Sequence, residues 1–263
     1  MLIFTPINQP PQTFILRIFL LLIFSITSYS SIAVQDKIAI IIDDIGYRKT
    51  DVNVLNLPPN VTLSILPHTP YGKDLAEQGF LDKHEIMLHI PMEAENGKFL
   101  GPGGLTSHMN EMAIRTNLKE AFAEIPFAIG INNHMGSLLT ALHQPMSWVM
   151  KFIKEQNVIF IDSATSSHSK AASIAKKLGI PTRQRDIFLD NDLEYNYIAK
   201  QFSLLIKQAK KHGIAIAIAH PHPESIDSIN KLLPQLAEEN IKLVSISQLF
   251  NQKKIVKSKQ LTD

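Results

Sequence analysis

The chain has 263 residues, 45% of them hydrophobic and 19% charged, with a formal net charge of +2. This is globular composition, long enough for one large domain or two small ones, and its mild, dispersed charge argues against a nucleic-acid partner. Cysteine is absent, which excludes disulfides, thiolate metal sites and thiol nucleophiles, so any metal has to be held by His and carboxylate groups.

In chain order, the first feature is Arg17 followed by the apolar stretch Ile18 to Ile26, then the small residues Ser28, Ser30, Ser31 and Ala33. Basic residue, short apolar core and small-residue region is the order of a secretory signal. Extended to Val34, the stretch reaches a marginal membrane span. Residues 1–33 are therefore expected to be a cleaved signal or an N-terminal anchor. The expectation is export to the periplasm or the outer side of the envelope, with membrane contact only through that anchor.

Ile38 to Ile42 is a continuous apolar run that meets Asp43, Asp44 and, after Ile45, Gly46. Such a run predicts a strand buried on both faces, as in parallel sheets. Two carboxylates at its end can hold a metal with one side chain and move a proton with the other, or serve as a helix cap. Val61–Leu66 and Glu85–His89 predict the next strands, with Pro67 and Pro91 as stops. A helix is expected over Tyr71–Gly79. After the glycine-rich loop Gly101–Gly104, a helix capped by Thr106 or Asn110 runs to about Glu124, with Met112, Ile114, Leu118 and Phe122 on its apolar face.

Ala128–Ile131 predicts a fourth strand, Pro145–Gln156 a helix and Val158–Asp162 a fifth strand. Lys170–Leu178 predicts a helix, Arg185–Leu189 a short strand, and Asn196–His212 a helix closed by Gly213. Ile214–His220 predicts a strand, Ile226–Glu239 a helix, and Ile241–Ser245 a final strand. Alternating strands and helices without a glycine-rich phosphate loop favour a closed or nearly closed (β/α) barrel over a nucleotide-binding fold. One barrel domain is expected over residues 36–250, with a disordered tail over 251–263.

Strand after strand ends in a residue that binds metal or moves protons: Asp43 and Asp44, His89, His134, Asp162 and His220. In a parallel barrel these ends converge on one face. Imidazole and carboxylate together suit zinc or a similar divalent cation, and the set fits metal-assisted hydrolysis of an amide or ester.

Five blocks carry a resemblance: Ile41–Gly46, Leu88–Glu93, Gly130–Ser137, Arg185–Asp190 and Ala219–Pro223. Together they resemble the divergent polysaccharide deacetylase family, over Lys37 to about Phe250. The resemblance implies an α/β fold, a distorted seven-stranded (β/α) barrel, and removal of N- or O-acetyl groups from a carbohydrate polymer with a divalent metal, zinc above all. It implies Asp43 as base and Asp44 as metal ligand, with His89 as a second ligand. The family's second motif has another histidine where this chain has Glu93. The third ligand is then Glu93 or His134, of which His134 is preferred.

The family's Arg-Pro block is missing here, and Asn133 or the backbone around Gly136 is the expected substitute for stabilising the oxyanion. His220 is the implied catalytic acid, with His222 as the alternative. Arg185 and Asp186 resemble the pair that orients the catalytic groups. The departures leave another functional expectation: a catalytically silent protein that binds carbohydrate or scaffolds the envelope on the same fold. A third is a metal-free glycosidase with Asp43 and Glu93 flanking the glycosidic bond.

Overall fold

The computed structural model describes residues 1–3 and 35–250. The signal or anchor expected over 1–33 falls almost wholly outside the described residues, as does the tail expected over 251–263. Nine strands form one parallel sheet: β1 (Asp36–Ile45), β2 (Thr62–Ile65), β3 (Ile86–Met92), β4 (Gly130–Met135), β5 (Ile159–Asp162), β6 (Thr182–Gln184), β7 (Ile187–Phe188), β8 (Ile214–Ala219) and β9 (Ile241–Leu243). The helices are α1 (Gly72–Leu81), α2 (Glu111–Glu124), α3 (His143–Gln156), α4 (Ala171–Lys177), α5 (Tyr195–His212), α6 (Pro223–Leu232) and α7 (Pro234–Glu238). The last expected helix is thus two, divided at Leu233 because Pro234 cannot continue the hydrogen-bond ladder.

The strand order is β6-β5-β4-β3-β2-β1-β8-β7, with β9 beside the start of β1. This corrects the expected seven-stranded barrel: the eight strands of that path curl into a half-barrel. The physical reason lies at Arg185–Asp186. The Arg185 amide bonds Asp162 on the β5 side, whereas the Asp186 amide bonds Ile216 on the β8 side. The expected strand at Arg185–Leu189 is therefore only the short β7 at one edge of the sheet, and a separate strand, β6, precedes it at the other edge. Asp186 completes the crossing with its side chain, accepting the Ile216 amide at 2.8 Å.

The strand periodicity of two sorts the core into two layers. Ile38, Ile40 and Ile42 pack with the helices, as do Leu88, Ile131 and Phe160. Ala39, Ile41, Met87, Ile161, Ile216 and Ile218 point to the other, concave face. Val244 and the short 3-10 turn Ile246–Leu249 fill that inner layer from the end where the strands begin, with the Ile246 amide on Thr62 and the Ser247 amide on Glu85. The opposite end, where the strands finish, is left to polar residues. On α2 the apolar face shifts: Ile114, Leu118 and Ala121 are buried, but Met112 is exposed.

Candidate metal and acid–base site

Continuing each inner-face series along its strand leads to the site. The series Ala39–Ile41 reaches Asp43, Met87 reaches His89, Gly130 reaches Asn132 and then His134, and Ile216–Ile218 reaches His220. All of them arrive at the carboxyl end of the sheet, where parallel α/β folds place their chemistry.

Asp44 breaks the parity, because its neighbour Asp43 already faces inward. The β1–β2 register supplies the reason: Ile42 pairs Leu63 but Ile45 pairs Ile65, so β1 carries one extra residue there. Asp44 sits in the left-handed region with φ 59°. A bulge of this kind re-aims a side chain, and here it brings two consecutive carboxylates to one site. Met135, the last residue of β4, and Ala164, just beyond β5, have φ 54° and 50°. Strained non-glycine backbone thus gathers around this end of the sheet.

Asp44 Oδ1 is buried and forms no hydrogen bond. His134 Nδ1 lies 2.7 Å and His89 Nε2 3.0 Å from it. The three side chains each offer one ligand atom, and those atoms lie within 4.8 Å of one another. One buried carboxylate oxygen without a hydrogen bond and two imidazole nitrogens form a donor set that fits a divalent cation and leaves positions open. Burial alone would raise the Asp44 pKa, but the adjacent His134 and His89 outweigh it and hold the carboxyl well below its usual range.

Asp43 is 2% exposed. Its burial pushes the carboxyl pKa up, against the lowering effects of His89, Asn132 and His220. Burial likewise disfavours a charged His89, yet the fields of Asp43 and Asp44 prevail and raise it. Behind both stands Asn132, fully buried. Its Nδ2 donates to Asp43 Oδ1 at 2.7 Å, and its Oδ1 accepts from Ser64 Oγ at 2.6 Å and faces His89 Nδ1 at 2.8 Å. An ionised carboxylate only accepts, so the amide orientation is fixed. His89 therefore carries a proton on Nδ1 and turns Nε2 toward Asp44.

Opposite stands His220, whose Nε2 is 3.9 Å from Asp44 Oδ2. Its Nδ1 meets Asp190 Oδ1 at 3.0 Å, and Asp190 Oδ2 accepts the His220 amide and Ser225 Oγ, each at 2.7 Å. Burial lowers the pKa of this imidazole, but the Asp190 bond and charge overcome that and raise it to about 9. His220 is thus protonated at neutral pH.

The remaining expected residues have other places. Glu93 accepts the Ser107 amide, which keeps its carboxyl below the usual range, and it is not among the three grouped ligands. Asn133 lies on the other parity and ties strand ends, donating to the Met135 carbonyl at 2.7 Å and accepting the Ser163 amide at 2.9 Å. Asp186 completes the sheet crossing. Arg185 donates to the Ser163 and Ala164 carbonyls at 2.8 and 2.9 Å and lies 3.6 Å over the Phe188 ring, which stacks on His220 at 6.1 Å. Burial lowers the Arg185 pKa, while Asp162, Asp186 and Asp43 hold it up. His222 is 6.4 Å from His220, ring to ring. Asp162 caps the loop after β5 through the Ala164 amide and Ser169 Oγ.

Sequence reasoning missed Asn132, Ser64 and Asp190. The signal for Asn132 was available: it is two residues before His134, on the same strand face. It was hidden because the strand was expected to stop at Ile131. Asp190 follows Phe188 by two residues, the same parity.

The structure is thus an open parallel α/β half-barrel with Asp44, His89 and His134 grouped at the carboxyl ends of its strands. The divergent polysaccharide deacetylase profile matches residues 40–250, and the chain belongs to that family. It is 35% identical to an uncharacterized protein of Haemophilus influenzae over 240 residues, 90% of this chain and 85% of that one. It is 32% identical to the uncharacterized protein YibQ of Escherichia coli over 232 residues, 88% of this chain and 72% of that one. A crystal structure of an uncharacterized protein from Agrobacterium tumefaciens C58 superposes with a TM-score of 0.79 at 26% identity, covering 82% of this chain and 89% of that one.

Proposed function

We propose that this protein is an exported, metal-dependent hydrolase that removes acetyl groups from an envelope carbohydrate polymer. The observation that carries the reading is the unpartnered Asp44 carboxylate between His89 and His134, flanked by Asp43 on one side and protonated His220 on the other. The order of the N-terminal residues supports export.

Asp44, His89 and His134 would hold the cation, with zinc the best match to two imidazoles and a carboxylate. Bound there, such a cation lowers the pKa of a water and polarises the acetyl carbonyl. The residues of the chain do the rest. Asp43, fixed by Asn132 and with its proton affinity raised by burial, takes the proton of the attacking water. His220 gives its Nε2 proton to the departing sugar nitrogen or oxygen, and Asp190 stabilises the imidazolium until then. Acetate leaves and the sugar keeps the proton. Arg185, braced on two carbonyls and on Phe188, adds positive charge near Asp43 and supports the arrangement.

The test is acetate release from acetylated chito-oligosaccharides and peptidoglycan fragments by the purified chain loaded with zinc. Release that stops on chelation and returns with metal supports the reading. No release over the panel, with glycan still bound, would support the catalytically silent alternative instead.

A further inference from the structure

Beside His220 stands a pair of hydrogen-bond donors, Arg48 and His222, with no part in the acetyl chemistry. Arg48 follows β1, and its side chain is 46% exposed, yet its guanidinium is held in place. Asp51, fully buried, accepts the Gly46 amide at 2.9 Å, the Arg48 amide at 3.1 Å and Arg48 Nε at 3.2 Å. The two amide bonds suffice to fix the turn; the third positions an otherwise mobile side chain. Arg48 Nη1 then lies 3.5 Å from His222 Nδ1, across from the loop that follows β8. Guanidinium only donates, so His222 Nδ1 accepts and its proton sits on Nε2.

Arg48 Nη2 and His222 Nε2–H form no hydrogen bond with any described residue, and both are donors. The guanidinium held by Asp51 and the His222 Nε2–H, one histidine away from the proton donor, offer donors only and suit a sugar that carries an anion.

We propose that Arg48 and His222 form an anion subsite, and that the substrate is an acidic glycan with a carboxylate or phosphate on, or next to, the acetylated sugar. The proposal rests on the deacetylase reading for the acetyl group but not for the anion contact. Binding therefore tests it without turnover. Titration calorimetry on the full chain, zinc-loaded and carrying Asp43→Asn to silence hydrolysis, would compare three acetylated oligosaccharides of equal length: neutral, uronic-acid-containing and phosphorylated.

At least one acidic ligand should bind roughly tenfold to a hundredfold tighter than the neutral one, the span of one or two charge-assisted hydrogen bonds. Whichever it is identifies the anion. Adding Arg48→Ala should remove that advantage and leave neutral binding unchanged, and Arg48→Lys should restore part of it at low salt. Equal affinity for all three ligands, no binding of any, or an Arg48→Ala variant that weakens neutral and acidic ligands alike would overturn the proposal. Acidic preference through Arg48 without acetate release by the Asp43 parent would leave the subsite standing and remove the deacetylase reading.

Discussion

Asn132 joins the three functions of the site in one side chain: it fixes the His89 tautomer, orients Asp43 and anchors to Ser64. Removing it leaves the buried His89 Nδ1–H and Asp43 Oδ1 without a partner. Asn132→Ala should lower stability by about 2–5 kcal/mol in urea unfolding, since each unsatisfied buried group costs ~1–3 kcal/mol. It should also weaken zinc affinity by roughly tenfold to a hundredfold, the usual effect of losing the partner behind a histidine ligand. Asp190 has the corresponding role for His220. Because the His220 pKa is raised to about 9 from 6.5, the pair contributes stability fully below the lower value. That contribution fades as pH rises through the higher one, and under the proposed mechanism the proton donor would be lost over the same range. Asp190→Asn should therefore bring the alkaline limb of kcat/KM to lower pH, while the acid limb stays in place. An unmoved alkaline limb would mean that His220 is not the proton donor.

At the level of elements, the end of β1 does the most. The bulge that makes Asp43 and Asp44 neighbours in the site is followed by Gly46 at φ 134°, closely packed on the turn before α1. A Cβ there would come within 2.1 Å of Thr69 Oγ1 and 3.0 Å of the Gly72 backbone. Gly46→Ala combines steric overlap with a backbone conformation that L-residues avoid, and should destabilise by about 2–4 kcal/mol in thermal or urea unfolding. Zinc binding should weaken with it, because the same turn holds Asp44. The strands and their order of polar endings are legible in the sequence, because apolar runs and period-two alternation report burial directly. The bulge is not legible: a strand of unbroken apolar residues gives no sign of where one residue is added. Nor is the end of β4, since the run from Asn132 to Met135 is polar or mixed and lacks the propensity that marks a strand.

Across the whole molecule, the parallel sheet delivers side chains from β1, β3, β4 and β8 to one end, while the helices cover its outer face and the segment after β9 fills its inner face from below. The half-barrel is open between β6 and β7, at the Arg185–Asp186 crossing, whereas the three grouped metal-binding side chains come from the central strands β1, β3 and β4. This is why the convergence of distant residues could be foreseen without the exact closure of the barrel: convergence depends only on strand direction and parity, closure on how two short strands meet the edges. Asp43 and Asp44, adjacent in the chain, nevertheless have different environments, one buried beside Asn132 and the other unpartnered between two histidines. Metal content and acetate release measured side by side on Asp44→Ala and Asp43→Asn test that division most directly. Asp44→Ala should lose both the bound metal and the acetate release, whereas Asp43→Asn should keep one metal per chain and lose only the release. Metal retained by Asp44→Ala, or lost equally from both variants, would contradict it.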